Sequence, residues 1–415
     1  MAAGLTGDSG KAEKNMNQQA YQWGAQPSAI RALAMYARER AAEIGAENVC
    51  DFTIGNPSVP APDSVRETAL RLLSGDAVAL HGYSSSQGDL SVRTALCDDL
   101  NRRYSAGVTA ENMYLTCGAA AALCCLFHGM LEVGDEVLTI APFFPEYSVF
   151  PALAGGALVP VAANPTDFQP DFDALEQAFS QKTRALLINS PNNPTGVVYT
   201  AQTLERLGEL LWRKSAELGR IIYLISDEPY RELVFEGEPA PWVPHFYDNT
   251  LVCYSFSKSL SLPGERIGYF LVPPAVADWE RVYLACCGAG RALGYVCAPT
   301  LFQQTVIHCL DERSHLGQYA ENLALLAPAL REMGYEVPAS RGAFYLFVKA
   351  PEGDGTAFSE RAKAHDLLVV PSDSFGMQGY VRVSYCVARE TVEAALPRFA
   401  ALMEEFESAR GGTGV

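Results

Sequence analysis

The sequence predicts an α/β protein in which a mainly parallel sheet lies between helices, joined to a smaller α+β domain built from both ends of the chain. Between residues 113 and 272, segments of strand and helix character alternate. The strand segments are rich in Val, Ile and Leu with little period-2 alternation, which is typical of strands buried on both faces. After about residue 300 the alternation stops, and long helical segments lead into two further strands.

Each element is predicted from its local apolar pattern. In the central part we expect strands at 113–118, 136–142, 157–162, 185–191, 221–230, 251–257 and 266–272, and helices at 119–132, from about 145, at 172–179 and at 201–218. Outside it we expect helices at 27–48, 86–106, 296–333 and 356–366, strands at 51–57, 344–350 and 380–387, and a closing helix. The predicted division is a flexible leader at 1–27, small-domain segments at 28–60 and 301–415, and a large domain at 61–300.

Charge and composition exclude several classes of partner. The 415 residues carry 31 Lys plus Arg against 48 Asp plus Glu, a net charge of −17, so nucleic acids and anionic membranes would be repelled. No apolar run approaches the ~18 residues that span a bilayer, and the N-terminus lacks the apolar core of a secretory signal. The eleven cysteines show no framework spacing, which indicates free thiols and a cytoplasmic protein. Neither cysteines nor histidines have metal-ligand spacing, so no metal site is predicted.

Polar residues at strand ends carry the chemistry, because ligands of α/β sheets bind beyond the carboxyl ends of strands. In SPNNPTG (190–196), an irregular turn directs Asn193 into the crevice, although the motif by itself is more typical of an ordinary Asn-Pro turn. In SDEPY (226–230), Asp227 closes an apolar strand, where its burial is costly without a cationic partner. A cationic ligand nitrogen would be such a partner, and Tyr230 lies three residues on.

A lysine follows the next strand, in YSFSKSLSLPGERIGY. Lys258 suits Schiff-base chemistry, because an amine in an apolar or cationic crevice loses its proton readily. Ser255 and Ser257 lie beside it, and Arg266 stands eight residues beyond it. Hydroxyls and a guanidinium together make a site for a phosphate.

A fourth strand end, CGAAAAL (117–123), places a glycine at the start of a helix. Its free backbone N–H groups and small side chains would admit an anion. The four strand ends together predict a ligand with a phosphate, a cationic ring nitrogen opposite Asp227, a phenolic oxygen near Asn193 and Tyr230, and an aldehyde for Lys258. That ligand is pyridoxal 5′-phosphate (PLP).

These motifs, in this order and with these gaps, identify a family. SPNNPTG, SDEPY and YSFSKSLSLPGERIGY resemble the fold-type-I PLP-dependent aminotransferases of class I/II, the aspartate aminotransferase superfamily, from about residue 28 to the end. The resemblance implies a seven-stranded sheet. It also implies a transaminase that moves an amino group between an L-amino acid and a 2-oxo acid with ping-pong kinetics.

The resemblance further implies the roles of the site residues. Lys258 is the Schiff-base lysine and general base, Asp227 is the partner of the ring nitrogen, and Tyr230 with Asn193 binds the phenolate oxygen; Lys258, Asp227 and Tyr230 form the catalytic group. The implied phosphate contacts are Gly118, Ala119, Ala120, Ser255, Ser257 and Arg266. Phe144 stacks on the ring, and Tyr83 reaches the phosphate of a neighbouring subunit, so a homodimer is expected. Ala120 stands where many relatives have Ser or Thr, and Ser372 where they often have Gly, near the mouth of the site.

The sequence identifies the substrate less clearly than it identifies the reaction. Arg382, in YVRVSY, is similar to the arginine that grips the α-carboxylate, and the resemblance implies that Gly55 and Asn193 also contact the substrate. A dicarboxylic substrate needs a second cation. Arg291 lies close to where dicarboxylate-specific relatives place a distal arginine donated by the partner subunit, and Arg31 is a weaker candidate for that cation. We therefore expect aspartate/2-oxoglutarate transamination. The alternatives are aromatic or alanine transamination, or a PLP-dependent C–S β-lyase on the same scaffold. A PLP-sensing regulator is disfavoured, because no basic region precedes the family-like part of the chain.

Overall fold

The centre of the molecule is a seven-stranded sheet. The computed structural model describes residues 16–25 and 29–411. The sheet has the order β2-β8-β7-β6-β5-β3-β4, in which β8 is antiparallel to both neighbours and the other pairs are parallel. Its strands are β2 (Met113–Thr116), β3 (Glu136–Ala141), β4 (Ala157–Ala162), β5 (Thr183–Asn189), β6 (Tyr223–Asp227), β7 (Thr250–Ser255) and β8 (Gly268–Leu271). The predicted mainly parallel, seven-stranded sheet is confirmed.

Two smaller sheets bring the chain ends together. Strand β1 (Cys50–Asp51) pairs in parallel with β10 (Leu367–Leu368). Strands β11 (Val370–Pro371), β12 (Tyr380–Ser384) and β9 (Tyr345–Lys349) form an antiparallel three-stranded sheet. The parallel pairing of β1 with β10 joins the N-terminal segment to the C-terminal α+β part, as expected from the sequence.

Helices cover the sheets, and the core forms where their apolar faces pack against the strands. They are α1 (Gln18–Ala25), α2 (Ala29–Ile44), α3 (Asp63–Leu73), α4 (Ala77–His81), α5 (Leu90–Tyr104), α6 (Ala119–Met130), α7 (Val149–Leu153), α8 (Phe172–Ala178), α9 (Ala201–Leu218), α10 (Phe256–Ser259), α11 (Trp279–Ala292), α12 (Thr300–Val306), α13 (Gly317–Glu332), α14 (Gly355–Lys363) and α15 (Arg389–Gly411). Helix α6 is almost entirely buried against the sheet and α11. This burial agrees with the apolar sequence AALCCLF at 121–127.

The long helices predicted at 296–333 correspond to α12 and α13, and residues 307–316 between them are not helical. The carbonyl of Leu310, which a continuous helix would use internally, instead accepts hydrogen bonds from Arg103 and Arg313. The bond from Arg103 joins residues 207 positions apart, a contact that no local pattern reveals.

The predicted leader at 1–27 falls partly on residues 1–15, 26 and 27, which lie outside the described residues. Helix α1 lies within that stretch and has no buried residue. The domain boundaries stay a prediction.

None of the helices in the described ranges has the length and apolar character needed to cross a bilayer.

Candidate active site

A cavity of about 300 Å³ opens at the carboxyl ends of the central strands. Asn189, Asp227 and Ser255, the last residues of β5, β6 and β7, all line it, as the rule for parallel sheets predicts. Its volume lies at the lower end of the range of small-molecule sites. Among the described residues, the cations of its lining are Lys258, Arg266 and Arg382.

Asp227 is buried at the base of the cavity. Tyr147 donates a hydrogen bond from its hydroxyl to Oδ2 of Asp227 at 2.5 Å, and Asn189 donates to the Asp227 backbone carbonyl at 2.8 Å. The other carboxylate oxygen, Oδ1, is buried with no hydrogen-bond partner in the described part of the chain. Burial raises the pKa of Asp227 to about 7, and the hydrogen bond from Tyr147 opposes this rise.

Lys258 lies on the one-turn helix α10, which directly follows β7. Its amine donates a hydrogen bond from Nζ to the backbone carbonyl of Gly55 at 2.6 Å and lies 5.3 Å from the ring centroid of Phe344. Burial, together with repulsion from Arg382 and Arg266, lowers the pKa of Lys258 to about 8. The neutral, nucleophilic amine is therefore accessible near physiological pH.

Two serines and an arginine meet beside the N-terminus of α6. The hydroxyls of Ser255 and Ser257 lie 2.6 Å apart, and Arg266 donates from Nη2 to the carbonyl of Cys117 at 3.3 Å. Gly118 caps α6 with φ of 82°, and a Cβ there would lie 2.8 Å from Arg266 Nη2. Glycine therefore satisfies both the backbone angle and the close approach of the guanidinium. Hydroxyls, guanidinium and helix N–H groups make this end of the cavity suited to an anion.

A buried arginine, Arg382, also lines the cavity. Arg382 is 2% exposed and donates from Nη1 to Oδ1 of Asn193 at 3.0 Å and from Nη2 to the carbonyl of Thr53 at 2.6 Å. Its Nε is buried without a partner among the described residues. Close by, the hydroxyls of Tyr230 and Tyr345 lie 2.9 Å apart, and both rings line the cavity.

Most of the site residues expected from sequence come together here. The members of that set that line the cavity are Gly55, Ala119, Ala120, Phe144, Asn193, Asp227, Tyr230, Ser255, Ser257, Lys258, Arg266 and Arg382, with Gly118 next to them. Tyr83 and Arg291 do not line it; Tyr83 is 93% exposed, and Arg291 is exposed near the end of α11. The structure does not place Ser372 at the mouth of the cavity. Ser372 is buried away from it and accepts a hydrogen bond from the backbone N–H of Tyr380 at 3.0 Å.

Sequence reasoning missed three polar residues of the lining: Tyr147, Asn189 and Tyr345. Asn189 had a usable signal, because a polar residue ends an apolar strand there as Asp227 does on the neighbouring strand. Tyr345 lies in the aromatic run FYLFVKA and Tyr147 in a short 3₁₀ turn, Pro145–Ser148. Neither pattern distinguishes a site residue from a core aromatic.

The fold and this cavity define a class of protein: an α/β enzyme with a lysine, a buried carboxylate and an anion site at the carboxyl edge of a parallel sheet. The family model Aminotransferase class I and II matches residues 47–399. The chain belongs to this family, and it is a PLP-dependent aminotransferase, which confirms the family, cofactor and reaction predicted from sequence.

Named relatives and a solved structure agree with this family assignment. The aspartate aminotransferase of Thermotoga maritima is 31% identical over 92% of this chain and 97% of its own length. The aspartate/prephenate aminotransferase of Thermus thermophilus is 30% identical over 90% of this chain and 95% of its own. The crystal structure of an amino transferase from Eubacterium rectale superposes with a TM-score of 0.92 at 51% identity, covering 94% of this chain and 99% of that one.

The residues of the cavity fit PLP. The orphaned Oδ1 of Asp227 is the acceptor that a protonated ring nitrogen would satisfy, and the Ser255–Ser257–Arg266 end has donors for a phosphate. Lys258 lines the same cavity with an amine of lowered pKa, as attachment to an aldehyde requires.

Proposed function

We propose that this aminotransferase moves the amino group between L-aspartate and 2-oxoglutarate, with Lys258, Asp227 and Tyr230 as its catalytic residues. The observation that carries the reaction is the presence in one cavity of a lysine amine of lowered pKa and a buried carboxylate with an unpartnered oxygen. The choice of aspartate is supported by the names of the Thermotoga and Thermus relatives.

Each residue has a distinct part in the proposed reaction. When bound, PLP supplies an electron-withdrawing ring that stabilises negative charge at the substrate Cα. Asp227 would keep the ring nitrogen protonated, and Asn193 and Tyr230 would donate hydrogen bonds to the ring oxygen. Lys258 would act as the general base that takes the proton from the substrate Cα. Phe144 would pack against the ring and exclude water from it.

The anion contacts are divided between cofactor and substrate. Ser255, Ser257, Arg266 and the backbone at Gly118, Ala119 and Ala120 would hold the phosphate. Arg382 would bind the α-carboxylate through its unpartnered Nε and the second N–H of a neighbouring nitrogen, since Nη1 and Nη2 each direct one N–H to Asn193 and Thr53. Gly55 lines the substrate end of the cavity beside them.

A second specificity is favoured by one observation. Ile30, Ile54, Leu123 and Phe150 give the cavity a largely apolar wall. Such a wall would accept an aromatic amino acid side chain, whereas a second carboxylate needs a further cation. Arg291 of a second subunit is the candidate for that cation in the aspartate reaction.

The proposed enzyme is a cytoplasmic homodimer with shared active sites. Apolar side chains close to Tyr83 in the sequence, Leu73 and Val78, are exposed, the latter to 84%, and a second copy of the chain would cover them. Tyr83 and Arg291 would act across that interface. All eleven cysteines are free thiols, which supports a reducing compartment.

A panel of amino acids, each supplied with 2-oxoglutarate, tests this proposal. We expect glutamate formation to be fastest with aspartate, followed by aromatic donors, and ping-pong kinetics in both substrates. Pyruvate and ammonia released from a cysteine-like substrate without any 2-oxo acid would instead indicate a β-lyase. Equal inactivity towards every donor would contradict the proposal.

A further inference from the structure

The two carboxylate oxygens of Asp227 have different surroundings. Oδ2 accepts the hydrogen bond of the Tyr147 hydroxyl at 2.5 Å, whereas Oδ1 is buried and unpartnered among the described residues. Tyr147 is 1% exposed and follows the cavity residue Phe144 by one short turn, Pro145–Ser148. The buried phenol thus satisfies one carboxylate oxygen of Asp227 and leaves the other without a partner.

We propose that Tyr147 is a positioning residue, whose hydroxyl fixes the Asp227 carboxylate so that Oδ1 is the oxygen presented to the ring nitrogen of PLP. This inference rests on the role proposed for Asp227. A carboxylate rotates about its terminal bond, so anchoring one oxygen sets the direction of the other. The Asp227 backbone is fixed separately by Asn189, which leaves the side-chain orientation to Tyr147.

The same hydrogen bond also favours the charged form of Asp227. Burial and the neighbouring Glu228 both raise the pKa of this carboxyl, and Tyr147 is the side chain that opposes them. Tyr230 and Cys253, which also face Asp227, provide no opposing positive charge. Without the phenol, the carboxyl would keep its proton to higher pH and could no longer stabilise a positive ring nitrogen.

The ring and the hydroxyl of Tyr147 have separable roles. The ring contacts Phe144 edge-on, with centroids 5.6 Å apart and planes at 86°. A Tyr147→Phe variant therefore keeps the support of Phe144 and removes only the bond to Asp227. Tyr335→Phe is the matched control, because its buried hydroxyl donates to the carbonyl of Phe399 at 2.9 Å in a part of the core that does not line the cavity.

The test measures PLP itself rather than turnover. Apoprotein is titrated with PLP, and the protonation of the ring nitrogen is followed by NMR with ¹⁵N-labelled PLP between pH 6 and 9. We expect Tyr147→Phe to bind PLP roughly tenfold or more weakly, as for a hydrogen bond to a charged group, and its ring nitrogen to lose the proton at lower pH than in the wild type. Tyr335→Phe should match the wild type in both measurements.

A double-mutant cycle separates positioning from general damage. In an Asp227→Ala background, adding Tyr147→Phe should change PLP affinity by less than about twofold, because the partner is already gone. If Tyr147→Phe weakened PLP binding just as much in the Asp227→Ala background as in the wild type, the inference would be overturned. It would also be overturned if Tyr147→Phe alone changed neither the PLP affinity nor the protonation of the ring nitrogen. A wild-type protein that forms no covalent adduct at Lys258 would instead refute the proposed function on which this inference rests.

Discussion

The guanidinium of Arg382 and the side-chain amide of Asn193 are joined by a hydrogen bond of 3.0 Å, although 189 positions separate them in the chain. The bond connects β12 of the three-stranded sheet to the turn that follows β5 of the central sheet. The carbonyl of Thr53 fixes the same guanidinium from the N-terminal segment. Three distant parts of the chain thus determine the orientation of one cation.

Arg382→Lys tests whether this cation binds the substrate carboxylate. Lysine keeps the charge but lacks the planar fork and cannot reach Asn193, Thr53 and a carboxylate together. We expect kcat/KM to fall about 100-fold or more for every amino donor, while PLP binding stays near the wild-type level. Arg389→Lys is the control, since Arg389 pairs with Glu393 at the surface. A change of less than threefold for Arg382→Lys would contradict the assignment.

Arg291→Ala tests the origin of aspartate specificity. If Arg291 of a second subunit binds the distal carboxylate, kcat/KM should fall tenfold or more for aspartate and remain almost unchanged for phenylalanine. Arg281→Ala is a matched control, because it removes another exposed arginine from the same helix, α11. Equal activity of Arg291→Ala and Arg281→Ala towards aspartate would show that the second carboxylate is recognised elsewhere.

Gly55→Ala tests the packing around the reactive lysine. A Cβ at Gly55 would lie 2.0 Å from the Tyr345 hydroxyl, so the tyrosine or the backbone must move. We expect a loss of about 1–3 kcal/mol in the free energy of unfolding, measured with urea, together with slower covalent capture of PLP by Lys258. Gly317→Ala provides the comparison, since a Cβ there meets nothing within 4 Å. Unchanged stability and capture in Gly55→Ala would show that this contact is unimportant.

The lowered pKa of Lys258 predicts a pH dependence. Only the neutral amine attacks an aldehyde, and burial lowers the pKa of Lys258 to about 8, with repulsion from Arg382 and Arg266 and an opposing effect of Cys386. The rate of covalent PLP capture by apoprotein should therefore rise roughly tenfold per pH unit below 8 and level off above about 9. A rate that still increases up to pH 10.5 would indicate an ordinary, solvated lysine.

The sequence predicted the parallel sheet and most of the cavity for the same physical reason. Strands buried on both faces are continuous apolar runs, so a polar residue at their ends, such as Asp227, is conspicuous. Lys258 and Arg266 were recognised because their spacing follows directly from the strand-turn-strand segment that carries them. Local sequence is sufficient to predict a site residue when a single secondary-structure element positions that residue.

The residues that escaped prediction depend on contacts between distant segments. Tyr147 and Tyr345 differ from core aromatics only in the atoms they reach, Asp227 Oδ2 and the Tyr230 hydroxyl. Between α12 and α13, the carbonyl of Leu310 accepts a hydrogen bond from Arg103, which lies 207 positions away. The apolar periodicity of a sequence contains no information about contacts between residues that are distant in the chain.

The most direct test of this account is borohydride reduction of the PLP-loaded protein followed by peptide mass analysis. We predict that the cofactor is fixed to Lys258, that the visible absorbance band disappears on reduction, and that Lys258→Ala shows neither effect. Lys349→Ala, at a surface lysine paired with Glu336, should behave as the wild type. A protein that stays colourless with PLP, or that carries the reduced cofactor on another lysine, would contradict the account.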